Sequence, residues 1–232
     1  MQGPKIGVIG GTIVLNKRFF EDSNNIKIST SYGEVDAQIS GNIMFIQRHG
    51  NSLPPHRINH KANISAFKDT GVKFIIGVCS VGSLRLDIKP GDIVIPDDYI
   101  SFGDPSFFDD KAVFITPGLS ERVRQALMTA SKNLGLSFHS KGVYMNTCGP
   151  RLETKAEVRM FSRFADIVGM TMSREASLAK EANLEYAAVC SVDNYAHGII
   201  DESLTNDEIE KNKRKNFDKI RNIVLETAKV LR

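Results

Sequence analysis

The stretch KIGVIGGTIV, Lys5 to Val14, decides how the chain is read. A run of strand formers passes straight into Gly10-Gly11-Thr12 and then an apolar pair. Glycines at such a point let the backbone turn sharply or come close to a ligand, and in α/β proteins ligands gather at the carboxyl ends of strands. A dinucleotide fingerprint needs G-x-G-x-x-G, and Gly7, Gly10 and Gly11 have the wrong spacing. No lysine follows to make a P-loop. Two readings stay open: a strand ending in a tight turn, and a loop whose Thr12 hydroxyl and backbone N–H groups hold a small anion.

Outward from that strand, short apolar runs alternate with helix-length amphipathic segments. KIGVI, NIMFIQ from Asn42, KFIIGVC from Lys73, DIVIP from Asp92, SKGVYM from Ser140 and EYAAVCSV from Glu185 read as strands. Helices are expected near Lys61–Thr70, Pro117–Leu134, Thr154–Phe164, Arg174–Ala182 and from Asn206 to the end. In the last, Ile209, Ile220, Ile223, Val224 and Ala228 form an apolar stripe. The short polar stretch Glu21–Asn25 reads as an ordinary loop. The alternation predicts an α/β fold with a mixed central sheet, and no linker or repeat divides residues 1–232, so one domain is expected.

Composition narrows the function. Of 232 residues, 41% are hydrophobic and 25% charged, which are ordinary globular values; a net charge of +3 is too small to argue for nucleic acid or an anionic membrane. There is no charged n-region with a long apolar stretch behind it and no transmembrane-length apolar run, so a soluble, cytoplasmic protein is expected. Cys79, Cys148 and Cys190 are odd in number and far apart, with no C-x-x-C. They read as buried thiols rather than a disulfide framework or a metal site.

Four strand ends carry anion donors. Besides Thr12, the run IMFI ends in Gln47-Arg48-His49-Gly50, which sets a guanidinium and an imidazole together. VCSVGSL exposes backbone N–H groups around Ser80 and Gly82. In VGMTMSREA, Met170 and Thr171 precede a helix whose N-terminus favours an anion. Each alone has a bland alternative: a solvated pair for Arg48 and His49, a turn for Ser80, a core methionine for Met170.

Taken in order, VIGGT, RHG, INHKANISAFKDTGV, CSVGSLRLDIKPGDIVIPDDYI, SKGVY, CGPRLETKAEVRMFSRFADIVGMT and AKEANLEYAAVCSVDN resemble the trimer-type purine nucleoside phosphorylase and methylthioadenosine phosphorylase family, from about Lys5 to Asn194. The segments GSL-R-x-x-I-x-PGD and GPR-x-E-T-x-AE are specific to it. The resemblance implies a mixed β-sheet partly closed into a barrel and flanked by helices, assembled as homotrimers or homohexamers. It implies that Thr12, Arg48, His49, Cys79, Ser80 and Thr171 surround an inorganic phosphate co-substrate, with no other cofactor and no metal. Met170 would lie against the ribose.

Two positions speak about the base. Counting without gaps from GMT, Asn194 falls where the family's 6-oxopurine enzymes carry Asn and its methylthioadenosine enzymes Asp; Glu153 falls where the former carry Glu and the latter a small hydroxyl residue. A 6-oxopurine offers an acceptor at O6 and a donor at N1–H, whereas adenine offers a donor amine and a bare N1. Asn194 can serve O6 and a protonated N7, and Glu153 can accept from N1–H. The expected reaction is phosphorolysis of inosine, guanosine or 5′-methylthioinosine, with Asn194 and His49 as catalytic residues and His49 titrating near neutrality. The bland reading of Glu153 is a helix-entry carboxylate, and that of Asn194 a turn residue.

The sequence also departs from the family pattern. Ile13 stands for a glycine, His60 for a tyrosine, Leu152 for the aromatic under the base, and Ala196 for the second acid of the methylthioadenosine branch. The 5′ group is not specified, though Asp207 and Ile209 lie near the relevant segment. Methylthioadenosine phosphorolysis and a nucleoside-binding protein without turnover are the alternatives. His60 and Phe107 are candidates for reaching into a neighbouring subunit's site.

Overall fold

The computed structural model describes residues 5–15, 19–50, 52–201 and 206–231, the side chains of 206–208 excepted. The elements in chain order are β1 (Ile6–Gly10), β2 (Asn24–Thr30), β3 (Gly33–Ser40), β4 (Ile43–Gln47), α1 (His60–Asp69), β5 (Phe74–Ser83), β6 (Ile93–Val94), β7 (Asp98–Ile100) and α2 (Glu121–Asn133). They continue with β8 (Val143–Asn146), α3 (Lys155–Phe161), β9 (Ile167–Gly169), α4 (Met172–Glu181), β10 (Glu185–Tyr195) and α5 (Asn206–Val230). All ten strands join one mixed sheet.

Its centre is parallel: β1 lies between β4 and β5, and β5 pairs in turn with β10. The far end of β5, Gly82 and Ser83, also pairs antiparallel with β9, which leads through β8 to β7. The long β5 therefore carries two sheet branches that diverge at its carboxyl end, and the sheet is partly closed rather than flat.

Strand alternation divides the core into two layers. Ile9 of β1 and Ile75, Cys79 and Val81 of β5 face α1 and α4, packing on Phe67, Met172 and Ala176. Ile6 and Val8, with Phe74, Ile76 and Val78, face α2 and α5, where Leu127, Ile220, Ile223, Val224 and Ala228 close the other side. Burying an aliphatic side chain of this size contributes about 1.5–3 kcal/mol. The expected apolar stripe of α5 is thus buried over its last three turns.

The helices start where their capping residues stand. Asn59 accepts from the Ala62 N–H and Ser120 from that of Val123, while Thr154 and Glu157 form a reciprocal capping box on α3.

The hairpin of β2 and β3 corrects the sequence reading, which had no strand between Thr12 and Asn42 and placed a loop over Glu21–Asn25. Ile26 and Ile28 alternate with polar residues, as do Val35, Ala37 and Ile39, and the strands pair from Asn24↔Ile39 to Thr30↔Gly33. One face only is buried, so the apolar content per residue is low and the run falls below what a buried strand shows.

Candidate active site

The carboxyl ends of β1, β4, β5, β9 and β10 converge on a cleft of about 360 Å³. Thr12, Arg48, His49, Ser80, Leu152, Glu153, Met170, Thr171, Asn194 and Ala196 all line it. Eleven site residues were named from the sequence, and the fold brings these ten together.

Arg48 is buried and held from four sides. Nε and Nη2 donate to the Glu175 carboxylate at 2.5 and 3.0 Å, Nη1 donates to the Val78 carbonyl at 2.7 Å, and Nη2 also to the Ile9 carbonyl at 3.1 Å. Burial pulls its pKa down, but the Glu175 carboxylate outweighs that and holds it above the ordinary value. One Nη1 hydrogen remains for the cleft. Glu175 itself accepts from the Tyr186 hydroxyl at 2.8 Å. Sequence reading missed Glu175; its signal was a carboxylate in the first turn of α4, directly after the GMT that carries Thr171.

Gly11 answers the question raised by the glycine pair. A Cβ there would stand 2.5 Å from Arg48 Nη1 and 2.6 Å from the Val78 carbonyl oxygen. The residue is glycine because the guanidinium crosses directly over its backbone.

His49 corrects an expectation. Its Nδ1 lies 2.8 Å from the Leu53 carbonyl oxygen, to which it donates, and burial beside the Arg48 charge lowers its pKa to about 4. The imidazole is therefore neutral around pH 7, presents Nε2 as an acceptor, and does not titrate near neutrality.

Cys79 is also corrected. It is 1% exposed and packs in the core layer under the cleft rather than lining it, because adjacent strand residues face opposite sides and Ser80 has the outward place. His60 is turned inward in its own chain, its Nδ1 3.8 Å from Glu175 and neither ring nitrogen hydrogen-bonded. Burial beside Arg48 lowers its pKa to about 3. Phe107 is held by its own chain too, packed on Tyr32 with its N–H donating to Glu181. The side chain of Asp207 lies outside the described residues, and Ile209 lines the cleft with Glu210 and Lys213.

The base-facing pair is poised for hydrogen bonding. Glu153 is 7% exposed, and its Oε1 accepts from the Thr147 hydroxyl at 2.7 Å. Because Thr154 and Glu157 cap α3, Glu153 is not the helix-entry carboxylate. Asn194 donates from Nδ2 to the Tyr195 carbonyl at 2.8 Å, which fixes its amide and leaves Oδ1 and a second N–H uncommitted. Thr171 precedes α4, and its hydroxyl makes no capping bond but lies beside the Cys79 thiol at the cleft wall. The Thr12 hydroxyl donates to Ser80 Oγ at 3.0 Å.

Residues 5–229 match the family model described as the phosphorylase superfamily. The chain belongs to the phosphorylase superfamily. Within it, the chain is similar to a probable 6-oxopurine nucleoside phosphorylase of Archaeoglobus fulgidus, at 44% identity over 97% of this chain and 96% of that protein. It is 38% identical to a probable S-methyl-5′-thioinosine phosphorylase of Thermodesulfovibrio yellowstonii, over 99% and 92% of the two chains. Among solved structures, a mutant adenosine/methylthioadenosine phosphorylase of Schistosoma mansoni in complex with methylthioadenosine superposes with a TM-score of 0.88 at 26% identity, covering 98% of this chain and 91% of that one. This superfamily member has, among its described residues, no helix long and apolar enough to cross a membrane.

Two outcomes are expected from this geometry. Gly11→Ala should displace Arg48, since the Val78 carbonyl cannot yield, and cost about 1–3 kcal/mol in stability with a tenfold or greater fall in kcat/KM; thermal melts and steady-state rates measure both. His49 and His60 have folded pKa values below the unfolded 6.5, so their contribution is present above pH 6.5 and lost as pH falls. The slope is up to about 1.4 kcal/mol per pH unit for each ring. Between pH 6.5 and 5 the Tm of His60→Gln should fall less steeply than that of the unaltered protein; equal slopes would refute the neutral, buried His60.

Proposed function

We propose that this superfamily member is a phosphate-dependent purine nucleoside phosphorylase selective for 6-oxopurine nucleosides. The observation that carries the reading is a single cleft with anion donors at one set of strand ends and the Glu153–Asn194 pair at another. The names of the similar proteins from A. fulgidus and T. yellowstonii agree with it.

In this reading the remaining Arg48 N–H, the Thr12 and Thr171 hydroxyls and the N-terminus of α4 hold inorganic phosphate. His49 Nε2 accepts the P–OH of monohydrogen phosphate. The C1′–N9 bond breaks with its electron pair leaving on the purine, and a phosphate oxygen bonds to the cationic C1′ to give ribose 1-phosphate or its 5-modified analogue. Asn194 stabilises the departing purine and the phosphate charge stabilises the sugar cation, so catalysis is positioning and electrostatics. Met170 contacts the ribose and Leu152 and Ala196 give the base an apolar lining in place of an aromatic stack. No further cofactor enters this scheme.

We also infer a homo-oligomer in the cytoplasm. Phe102, Val113 and Phe114 are 75%, 39% and 96% exposed on the segment between β7 and α2, an apolar surface suited to a second copy.

A panel of inosine, guanosine, adenosine, methylthioadenosine and methylthioinosine, with and without phosphate, tests the reading. Turnover should require phosphate, and 6-oxopurine nucleosides should be cleaved far faster than 6-aminopurine ones. Glu153→Ser with Asn194→Asp should move preference toward adenine by about 2–4 kcal/mol, non-additively, because both residues hold one ring in one plane. Methylthioadenosine cleaved as fast as methylthioinosine would replace this reading with the methylthioadenosine one. For assembly, Phe114→Ser should shift sedimentation toward the monomer, and an active monomeric parent protein would contradict the oligomer.

A further inference from the structure

Asp193 is the extra residue of a bulge in β10. Val192 pairs with Val81 and Asn194 with Gly82, so the strand loses its alternation there and consecutive side chains, Asp193 and Asn194, both line the cleft. The carboxyl is 1% exposed. Oδ1 accepts from the Ser191 hydroxyl at 2.6 Å, and Asn216 of α5 donates to that hydroxyl at 2.9 Å. Oδ2 is buried without a hydrogen-bond partner.

The Ser80 hydroxyl stands beside this carboxyl without a formed hydrogen bond to Oδ2, and its proximity favours the charged form. Ser80 Oγ in turn accepts from Thr12 at 3.0 Å. An ionised carboxylate only accepts, so any hydrogen bond it makes with Ser80 takes the Ser80 O–H and leaves the Thr12 O–H directed at Ser80. Neither hydroxyl then points at an incoming anion. That anion would also lie one hydroxyl away from a buried like charge.

We propose that Asp193 is a positioning residue for the anionic co-substrate: a proton on Oδ2 turns the Ser80 hydroxyl outward as a donor and frees that of Thr12, so phosphate binding takes up a proton here. The inference rests on the phosphorolysis reading. In the protonated form Oδ2–H donates to Ser80 Oγ, Ser80 O–H donates to phosphate, and the proton comes from solvent.

The groups around Asp193 are consistent with this. β10 supplies Ser191, Cys190 and the neutral Asn194; β5 supplies Ser80. From α5, Lys213 favours ionisation and Glu210 opposes it, while Asn212 donates to the Asp193 carbonyl at 2.8 Å and Asn216 reaches Ser191. At the end of β4 the Arg48 charge is held by Glu175, and His49 is neutral. Burial outweighs the favourable partners and raises the Asp193 pKa to about 6. A bound anion raises it further. Below pH 6 the carboxyl is already protonated and little is taken up; above it the KM for phosphate climbs by up to about tenfold per pH unit until the raised value is reached.

The test measures kcat and the KM for inorganic phosphate from pH 5.5 to 8.5 at saturating inosine, for the full chain, Asp193→Asn and Ser80→Ala. Phosphate's own ionisation is common to all three and cancels in ratios. The ratio of the unaltered protein's KM to that of Asp193→Asn should rise at least about tenfold across the range, with the kcat ratio flat, because the amide donates at every pH. Titration calorimetry in buffers of different ionisation heat should find proton uptake on phosphate binding that Asp193→Asn lacks. Ser80→Ala keeps the backbone N–H and loses the hydroxyl, so it should flatten the profile as well. Parallel profiles in all three proteins overturn the proposal, and where Asp193→Asn does not fold, an unchanged profile in Ser80→Ala does so. Turnover independent of phosphate would overturn the phosphorolysis reading and this proposal with it; phosphate dependence with parallel profiles overturns this proposal alone.

Discussion

The buried ion pair between Arg48 and Glu175 is the constraint around which the cleft is built. One guanidinium ties the end of β4 to the carbonyls of Ile9 in β1 and Val78 in β5 and to the first turn of α4. Four elements are thereby fixed at one point. Charges in such a place are tolerated only because their hydrogen bonds are nearly all made, and removing either partner would strand the other at a cost of about 3–5 kcal/mol. Glu175 takes two of the guanidinium's five N–H donors and the Ile9 and Val78 carbonyls take two more, which fixes its plane, so the remaining N–H is presented in one direction. The same packing dictates Gly11, whose backbone lies under the guanidinium.

Around this pair the cleft is also lined by the ionisable side chains of Glu153, Asp193, Glu210 and Lys213. His49 and His60 are both kept neutral by burial and by the nearby Arg48. Donors lining the cleft are hydroxyls, one guanidinium hydrogen, a fixed amide and the Lys213 ammonium. A donor set in which hydroxyls and an amide accompany few full positive charges suits a dianionic co-substrate that must bind and later leave as an ester, because a larger cluster of cations would hold product as tightly as substrate.

Much of this was legible in the sequence because it resides at strand ends with distinctive residue types. GGT, RHG and GMT mark three of them, and the periodicity around each places the hydroxyl or cation just past a buried run. The β2–β3 hairpin escaped because only one of its faces is buried. Cys79 escaped for a related reason: proximity to Ser80 in sequence suggested the cleft, whereas strand alternation sends neighbours to opposite sides. The pKa of His49 was not readable at all. It depends on the burial of the ring, against which the Leu53 carbonyl works, and on an Arg48 whose depth only the tertiary packing reveals. Glu175 was visible as a residue, but its role follows from a partner 127 positions away.

The bulge in β10 shows how one residue changes what a strand end can offer. In a regular strand, side chains alternate, and Asn194 in the cleft would require Asp193 to face the opposite layer. That layer is apolar, and an unpaired carboxylate there would be costly. With the slip between Val192 and Asn194, Asn216 and Asn212 of α5 steady the extra residue through Ser191 and through the Asp193 carbonyl. The bulge therefore depends on α5 as much as on β5. A helix that the apolar stripe of Ile220, Ile223 and Val224 docks on the sheet carries on its preceding turns the amides that hold the site residue in place. Packing at one end of α5 and polar support at the other are thus parts of a single arrangement, in which the position of the Asn194 amide is set by how firmly a distant helix is seated.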